Sequence, residues 1–151
     1  MSTLITDNNI RLGNNYKIQS LGNKIGRYQV TTSIAAALDY VITLTGTNYS
    51  NGSSDRRFLQ AYLGRRYQGN YSLTAIKSNG NTFLGSTSAF NGSAIGICIE
   101  QSNDTSLIFQ IHNSGSSGPT SFFSSKIEIY MGGAPTLIEE YTGGIYTSNP
   151  F

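Results

Sequence analysis

The stretch DYVITLTG, residues 39–46, alternates large apolar side chains with smaller or hydroxyl-bearing ones. Tyr40, Ile42 and Leu44 fall on one face of an extended chain, and the residues between them fall on the other. A period of two predicts a β-strand with one buried face. The preceding SIAAALDY, residues 33–40, tolerates a helix but is too short to form one independently. We therefore interpret it as a turn that leads into the strand.

The same alternation recurs on both sides of this strand, bounded each time by Gly, Asn or Ser. The other segments with strand character are IGRYQVTTS, RRFLQAYLG, RYQGNYSLTAIKS, NTFLGSTSAF, AIGICIEQ, SLIFQIHN, FFSSKIEIYMG and PTLIEEY. Turn signals separate them at intervals of about 8–12 residues, which is typical of sandwiches and jelly rolls. The sequence predicts an all-β fold, an antiparallel and jelly-roll-like β-sandwich of roughly eight to ten short strands.

Composition agrees with this fold and limits the partners. Charged residues make up 12% of the 151 residues, whereas Gly alone contributes 17, and long helices need more Glu, Lys, Arg and Ala than that. A net charge of +2 is small for a protein that neutralises a run of phosphates, so we expect no nucleic-acid partner. We expect residues 1–15 to form an extended N-terminal lead-in and candidate docking segment, and residues 16–151 to form the β-sandwich head domain.

The usual signatures of catalysis and metal binding are missing from the sequence. His112 and Cys98 are the only residues of their types, and no motif joins them, so we expect a hydrogen-bonded or exposed strand-end histidine and a half-buried cysteine. The loop around Asp104 lacks the repeated carboxylates of a calcium loop. Glu139 and Glu140 are adjacent and would point to opposite sides of a strand. We therefore predict no enzyme, no metal and no cofactor.

The most charged and aromatic stretch is SDRRFLQAYLGRRYQGNYSL, residues 54–73. We expect a hairpin with its turn near Gly64, which would gather both arginine pairs at one rim. Two interpretations lead: the guanidinium groups bond carbonyls or carboxylates across a subunit boundary, or they recognise a polar ligand such as a glycan. Single-stranded nucleic acid is a third, disfavoured by the small net charge. For a ligand site, the candidate residues are Arg56, Arg65, Tyr67 and Tyr71, and the candidate loops are NYSNGSSD, SNGN and SGSSGPTS.

Together, the segments GRYQVTTS, YVITLTG and RRFLQAYLGRRYQGNYSLTAI resemble the C-terminal head domains of bacteriophage tail fibres. The later section SLIFQIHNSGSSGPTSFFSSKIEIYMGG is similar to their late strand–loop–strand section, so the resemblance extends from about Ile10 to Ile138. The residues that match the pattern are Gly26, Tyr28, Tyr40, Ile42, Tyr62, Gly64, Arg65, Tyr67, Gly69 and Tyr71.

The resemblance implies a homotrimeric β-sandwich on the exterior of a virion, made in the host cytoplasm and attached to other phage tail or capsid proteins. It implies a non-enzymatic tail-fibre or fibre-tip subunit that binds a host-surface glycan or protein. The short lead-in differs from the long shaft of such fibres. A trimeric capsid decoration (cement) protein and a fibre connector therefore stay as alternatives, followed by a cytoplasmic glycan-binding module unrelated to virions.

Overall fold

A computed structural model of the chain describes residues 16–50, 53–86, 95–113 and 122–141. Its described secondary structure consists of β-strands and one short 3-10 helix, Tyr67–Gly69. The strands are β1 Lys17–Gly22, β2 Gly26–Thr31, β3 Leu38–Ser50, β4 Ser53–Arg65, β5 Tyr71–Asn79, β6 Thr82–Ser86, β7 Ile95–Ser102, β8 Ser106–Asn113, β9 Phe123–Met131 and β10 Thr136–Glu140. The all-β prediction is confirmed, although β3 and β4, with 13 residues each, are longer than expected.

The strands form two five-stranded sheets. The first sheet has the order β1-β9-β3-β4-β5, and the second has the order β10-β2-β8-β7-β6. The predicted strand at DYVITLTG is the centre of the first sheet, because β3 pairs with β9 on one side and with β4 on the other. Within the described residues, no helix is long and apolar enough to cross a membrane.

The hydrophobic core lies between the two sheets and follows the predicted alternation. Tyr40, Ile42 and Leu44 of β3 are fully buried, as expected for the face that the sequence assigns to the core. Leu59, Ala61 and Leu63 extend the same layer on β4, and the inward row of β8 faces it from the second sheet. Each large aliphatic side chain buried there contributes about 1.5–3 kcal/mol of hydrophobic stabilisation, so the core holds the sheets together.

One pair of strands departs from the predicted antiparallel arrangement. β6 and β7 run parallel, with Thr82 opposite Ile95 and Ser86 opposite Ile99, whereas every other described pair is antiparallel. Alternation predicts which residues share a face and does not distinguish the two directions. The direction depends on where the chain returns between β6 and β7, so a local pattern could not predict it.

The predicted turn near Gly64 is wrong, because β4 continues through Gly64 to Arg65. A Cβ atom at Gly64 would overlap the ring of Tyr62, whose hydroxyl donates a hydrogen bond to Asp39. Glycine at this position therefore makes room for a side chain instead of turning the chain. The turn comes later, at the 3-10 helix Tyr67–Gly69.

The predicted loops have mixed outcomes. NYSNGSSD, residues 48–55, is strand at both ends, since Ser50 pairs with Ser53 in a hairpin of β3 and β4, while residues 51–52 lie outside the described residues. SNGN is a turn as predicted, with Gly80 at φ 80°, and it carries the chain from the first sheet to the second. SGSSGPTS, residues 114–121, and the lead-in, residues 1–15, both lie outside the described residues.

The outer face of the second sheet carries a polar network. Arg27 forms ion pairs with Glu100 and Glu139, at 2.6 and 2.8 Å. Gln110 donates a hydrogen bond to Glu100 over 2.9 Å and lies 2.8 Å from Nε2 of His112. His112 is fully buried, so it is not the exposed strand-end residue that was one of the two expectations, and its bond to Gln110 agrees with the other.

Cys98 lies on this outer face beside Gln110, its partner on β8. It is fully buried instead of half-buried and packs against Phe83. Burial raises the pKa of its thiol to about 12, so the reactive thiolate form is suppressed at neutral pH. Cys98 thus behaves as a small apolar side chain in the structure.

Candidate functional site

Three connections meet at one end of the sandwich and form a surface that we call the loop platform. It consists of residues 32–37 between β2 and β3, residues 66–70 between β4 and β5, and residues 103–105 between β7 and β8. Thr32 N donates to Thr105 O at 2.8 Å, and Gln68 N donates to Ile34 O at 3.0 Å. These bonds join connections that are distant in sequence, so the platform is a property of the tertiary fold.

Arg65 fastens the platform from below. Its Nη1 donates to the carbonyl oxygens of Ser33 and Ala36, at 3.1 and 2.6 Å, and its Nη2 donates to the carbonyl oxygen of Asn103. The residue is fully buried, although it was predicted as a ligand contact. A buried guanidinium cannot touch a ligand on the surface, so we correct its role to a structural one. The bonds to carbonyls were one of the two leading interpretations, but here they lie within one chain.

The 66–70 connection has a constrained backbone. Gln68 adopts φ 60°, a left-handed conformation that non-glycine residues seldom take, and Gly69 follows with φ 80°. A Cβ atom at Gly69 would lie 2.7 Å from Cα of Asn103, so this position requires glycine. Ser102 Oγ donates to the Gly69 carbonyl oxygen at 2.6 Å. The surrounding bonds hold Gln68 in a strained conformation, which is a feature that concentrates at binding sites.

The platform exposes aromatic and amide groups on this rigid base. Tyr67 and Tyr71 are 55% and 45% exposed, and Ile34 beside them in the fold is 40% exposed. Polar side chains at Gln68 and Asn103 are exposed as well. Aromatic faces pack on the C–H surfaces of sugars, and amides exchange hydrogen bonds with sugar hydroxyls. This combination can bind a polar, partly apolar ligand such as a saccharide.

Arg66, the first residue of the 66–70 connection, is held by an acid that the sequence analysis did not assign to the site. Its Nη2 lies 3.0 Å from Oδ1 of Asp39 and 3.2 Å from the hydroxyl of Tyr62. The hydrogen bond to Asp39 is the main cause of the raised pKa of the Tyr62 hydroxyl. The arginine is therefore anchored over the strand ends and still presents an exposed side to solvent.

Arg56 lies far from the other predicted residues. It is exposed and pairs with Thr47 on β3, at the opposite end of β4 from Arg65. Arg65 lies nine positions along the strand from Arg56, which is about 30 Å at 3.4 Å per residue. The structure thus brings together Tyr67, Tyr71 and the buried Arg65, and it does not bring Arg56 to them.

Sequence reasoning missed Ile34, Gln68 and Asn103 as platform residues. Asn103 carried a local signal, because its Oδ1 accepts from the backbone N–H groups of Thr105 and Ser106, both at 3.0 Å, as Asn does in tight turns. The other two had no such signal. Across the residues that the structure describes, no group of three or more His, Cys, Asp or Glu side chains could hold a metal ion.

The comparisons with known proteins give structural neighbours at low similarity. No protein-family model matches the chain, and no curated protein matches it. Two solved structures are similar to the chain. The tailspike protein of Acinetobacter phage vB_ApiP_P1 has 12% identity and a TM-score of 0.37 over 90% of this chain. The tailspike protein of Acinetobacter baumannii phage AM24 has 8% identity and a TM-score of 0.37 over 88% of this chain. The chain spans about a quarter of each, 24% and 27%. At these scores a shared fold does not follow, so the function proposed below rests on this chain's own residues.

Proposed function

We propose that this chain is a non-enzymatic phage virion protein, a tail-fibre or fibre-tip subunit that attaches to a host-surface glycan through the loop platform. The observation that carries the proposal is the pair of exposed tyrosines, Tyr67 and Tyr71, at a loop platform in which the buried Arg65 joins the 32–37 and 103–105 connections. The resemblance of the same segment to tail-fibre head domains supports the virion setting.

The geometry favours binding over turnover. Because Arg65 and the inter-loop hydrogen bonds already hold the platform, a ligand would not have to order these loops when it binds, and preorganisation of this kind improves affinity. The acids nearest the platform do not form a facing pair. Asp39 is bonded to Tyr62 and Arg66, and Asp104 is the only acid on the 103–105 connection. Glycoside hydrolysis requires two facing carboxyl groups, and we propose no such pair here.

Replacing both Tyr67 and Tyr71 by Ala should strongly weaken glycan binding by the chain. Each aromatic contact is worth about 1 kcal/mol or more, so the double variant should bind at least about tenfold more weakly. Binding would be measured on an array of bacterial surface polysaccharides, with far-UV circular dichroism to verify folding. Arg56→Ala is the matched control, since it removes a predicted contact at the opposite end and should bind as the wild type does. Equal binding by the folded double variant would remove the platform from the site.

A homotrimer would let weak single sites act together, because linked sites raise avidity far above single-site affinity. Light scattering of the purified chain should give three times the 16.3 kDa mass of one chain. A mass of one chain would contradict the trimeric form of the proposal and leave a solitary glycan-binding module.

A structural virion protein, such as a capsid decoration protein or a fibre connector, is the second candidate. It is favoured by β5, a sheet-edge strand whose residues are exposed on both faces except at Leu73. An edge strand of this kind offers a surface for a neighbouring subunit. Deleting residues 1–13 separates the two functions: a connector would lose virion incorporation, whereas an attachment protein would keep its glycan binding.

A further inference from the structure

A concave surface lies on the outer face of the first sheet, separate from the loop platform. It is a groove of about 290 Å³ that crosses β1, β9 and β3, and we call it the β9 groove. Its lining residues are Ile18, Ser20, Thr43, Thr45, Ser124, Ser125 and Lys126. Thr45 lies seven residues along β3 from Leu38 at the platform end, which is about 24 Å of strand. One ligand unit therefore could not occupy both surfaces.

The groove exists because short side chains and a strand end coincide. Ser124 of β9 pairs with Thr45 on one side, while β1 reaches only to Gly22, opposite Ser125. The register of β1 also shifts between Ser20 and Gly22, where the strand bulges. Small serines therefore form the floor, and the longer side chains of neighbouring residues form the walls.

One wall carries a positive charge. Lys126 is exposed and forms no ion pair with any carboxylate among the described residues. The acid nearest along its strand is Glu128, two residues away, and its carboxylate accepts a hydrogen bond of 2.9 Å from the Tyr16 hydroxyl. The ammonium group of Lys126 is thus available to an external anion at the rim of a hydroxyl-lined groove.

The other groups of the groove suit a polyhydroxylated ligand. Ser20, Thr43 and Thr45 line the groove with hydroxyls. The Ser20 and Thr43 oxygens accept hydrogen bonds from Gly22 N and Gln60 Nε2, and a hydroxyl in this role still has its O–H to donate. Ile18 is 58% exposed at the opposite side and offers an aliphatic surface to C–H groups. We propose that the β9 groove binds a carboxylate-bearing saccharide unit, with its carboxylate on Lys126 and its hydroxyls on the serine and threonine side chains. This proposal is independent of glycan binding at the loop platform.

The test is a nuclear magnetic resonance titration of the full chain with methyl glucuronide. Methyl glucoside serves as the neutral analogue and acetate as the simple anion. We expect the glucuronide to shift the amide resonances of Thr43, Thr45 and Ser124, and both comparison ligands to bind at least about tenfold more weakly. Lys126→Met should weaken glucuronide binding by about tenfold, because it removes a charge-assisted hydrogen bond. Lys77→Met is the matched control: Lys77 lies opposite Gln60 at the far edge of the same sheet and should leave binding unchanged.

Each other outcome overturns the proposal. Equal binding of acetate would reduce the groove to a general anion site, and equal binding of the neutral glucoside would remove the role of the carboxylate. An equal loss of glucuronide binding in the Lys77→Met variant would show that lysines attract the anion non-specifically. Ser124→Phe should fill the groove and abolish glucuronide binding without changing the mass of the protein in solution, and therefore its oligomeric state. If it dissociates an oligomer instead, the groove is an interface between copies of this chain. These results leave the tyrosine test of the loop platform unaffected, so the two proposals can fail separately.

Discussion

Arg65→Met should lower the free energy of unfolding by about 3 kcal/mol, one of the two largest effects that we expect in this chain. The variant keeps an apolar stem of similar length and removes three charge-assisted hydrogen bonds to the carbonyl oxygens of Ser33, Ala36 and Asn103. Hydrogen bonds with a charged partner contribute about 1.5–3 kcal/mol each, and water that enters the opened site would recover part of their sum. Urea unfolding at neutral pH measures the change.

Arg66→Met is the control for this experiment, because it removes the neighbouring arginine from an exposed position. Arg66 bonds Asp39, Tyr62 and the carbonyl oxygens of Leu38 and Arg65, but its side chain is 55% exposed and water can replace it at these partners, so the loss should stay within about 1 kcal/mol. If the two variants lose the same stability, Arg65 does not fasten the loops. Amide hydrogen exchange adds a local readout: the Gln68 and Thr32 amides, which bond across the platform, should exchange faster in the Arg65 variant, while amides of β3 should keep their relative protection.

The residue pattern of β4 indicates that Arg65 is buried. It continues the inward row of Leu59, Ala61 and Leu63 with a period of two, and Arg57 begins the same row at the other end and is buried as well. The expectation of a turn at Gly64 interrupted this row and placed Arg65 on a rim. A glycine inside an alternating segment has two explanations, a turn or a close approach by another group, and only the position of the Tyr62 ring distinguishes them.

The features of the candidate sites that depend on tertiary structure leave no pattern in the local sequence. The alternation predicted the fold class and the buried face of β3, because burial on one side of a strand places an apolar residue at every second position. The meeting of the loop platform's three connections depends on the order of strands in two different sheets. The β9 groove likewise depends on where β1 ends relative to its neighbour β9.

The burial of His112 provides the second large effect, on the pH dependence of stability. The imidazole is fully buried on β8, and its Nε2 is bonded to the amide oxygen of Gln110. Burial lowers the pKa of His112 from 6.5 to about 4, because the charged form loses its hydration. The neighbouring Cys98 thiol, with its pKa raised to about 12, stays protonated and uncharged over the acidic range.

The free energy of unfolding should therefore fall by about 2 kcal/mol between pH 7 and pH 5 and by about 3 kcal/mol once the pH reaches the folded-state pKa. In this range the unfolded chain binds a proton at His112 that the folded chain excludes, so acid favours unfolding; above about pH 6.5 this contribution is constant. The pKa of Glu100 is also lowered, mainly by its hydrogen bond to Arg27. Its effect on stability begins near 4.5, the pKa of the carboxyl in the unfolded chain, and therefore lies at lower pH.

Urea unfolding of the wild type and of His112→Gln at pH 7 and pH 5 isolates the contribution of the histidine, since the variant should lose at least 1 kcal/mol less than the wild type over this interval. Parallel losses in the two proteins would show that His112 does not cause the acid sensitivity.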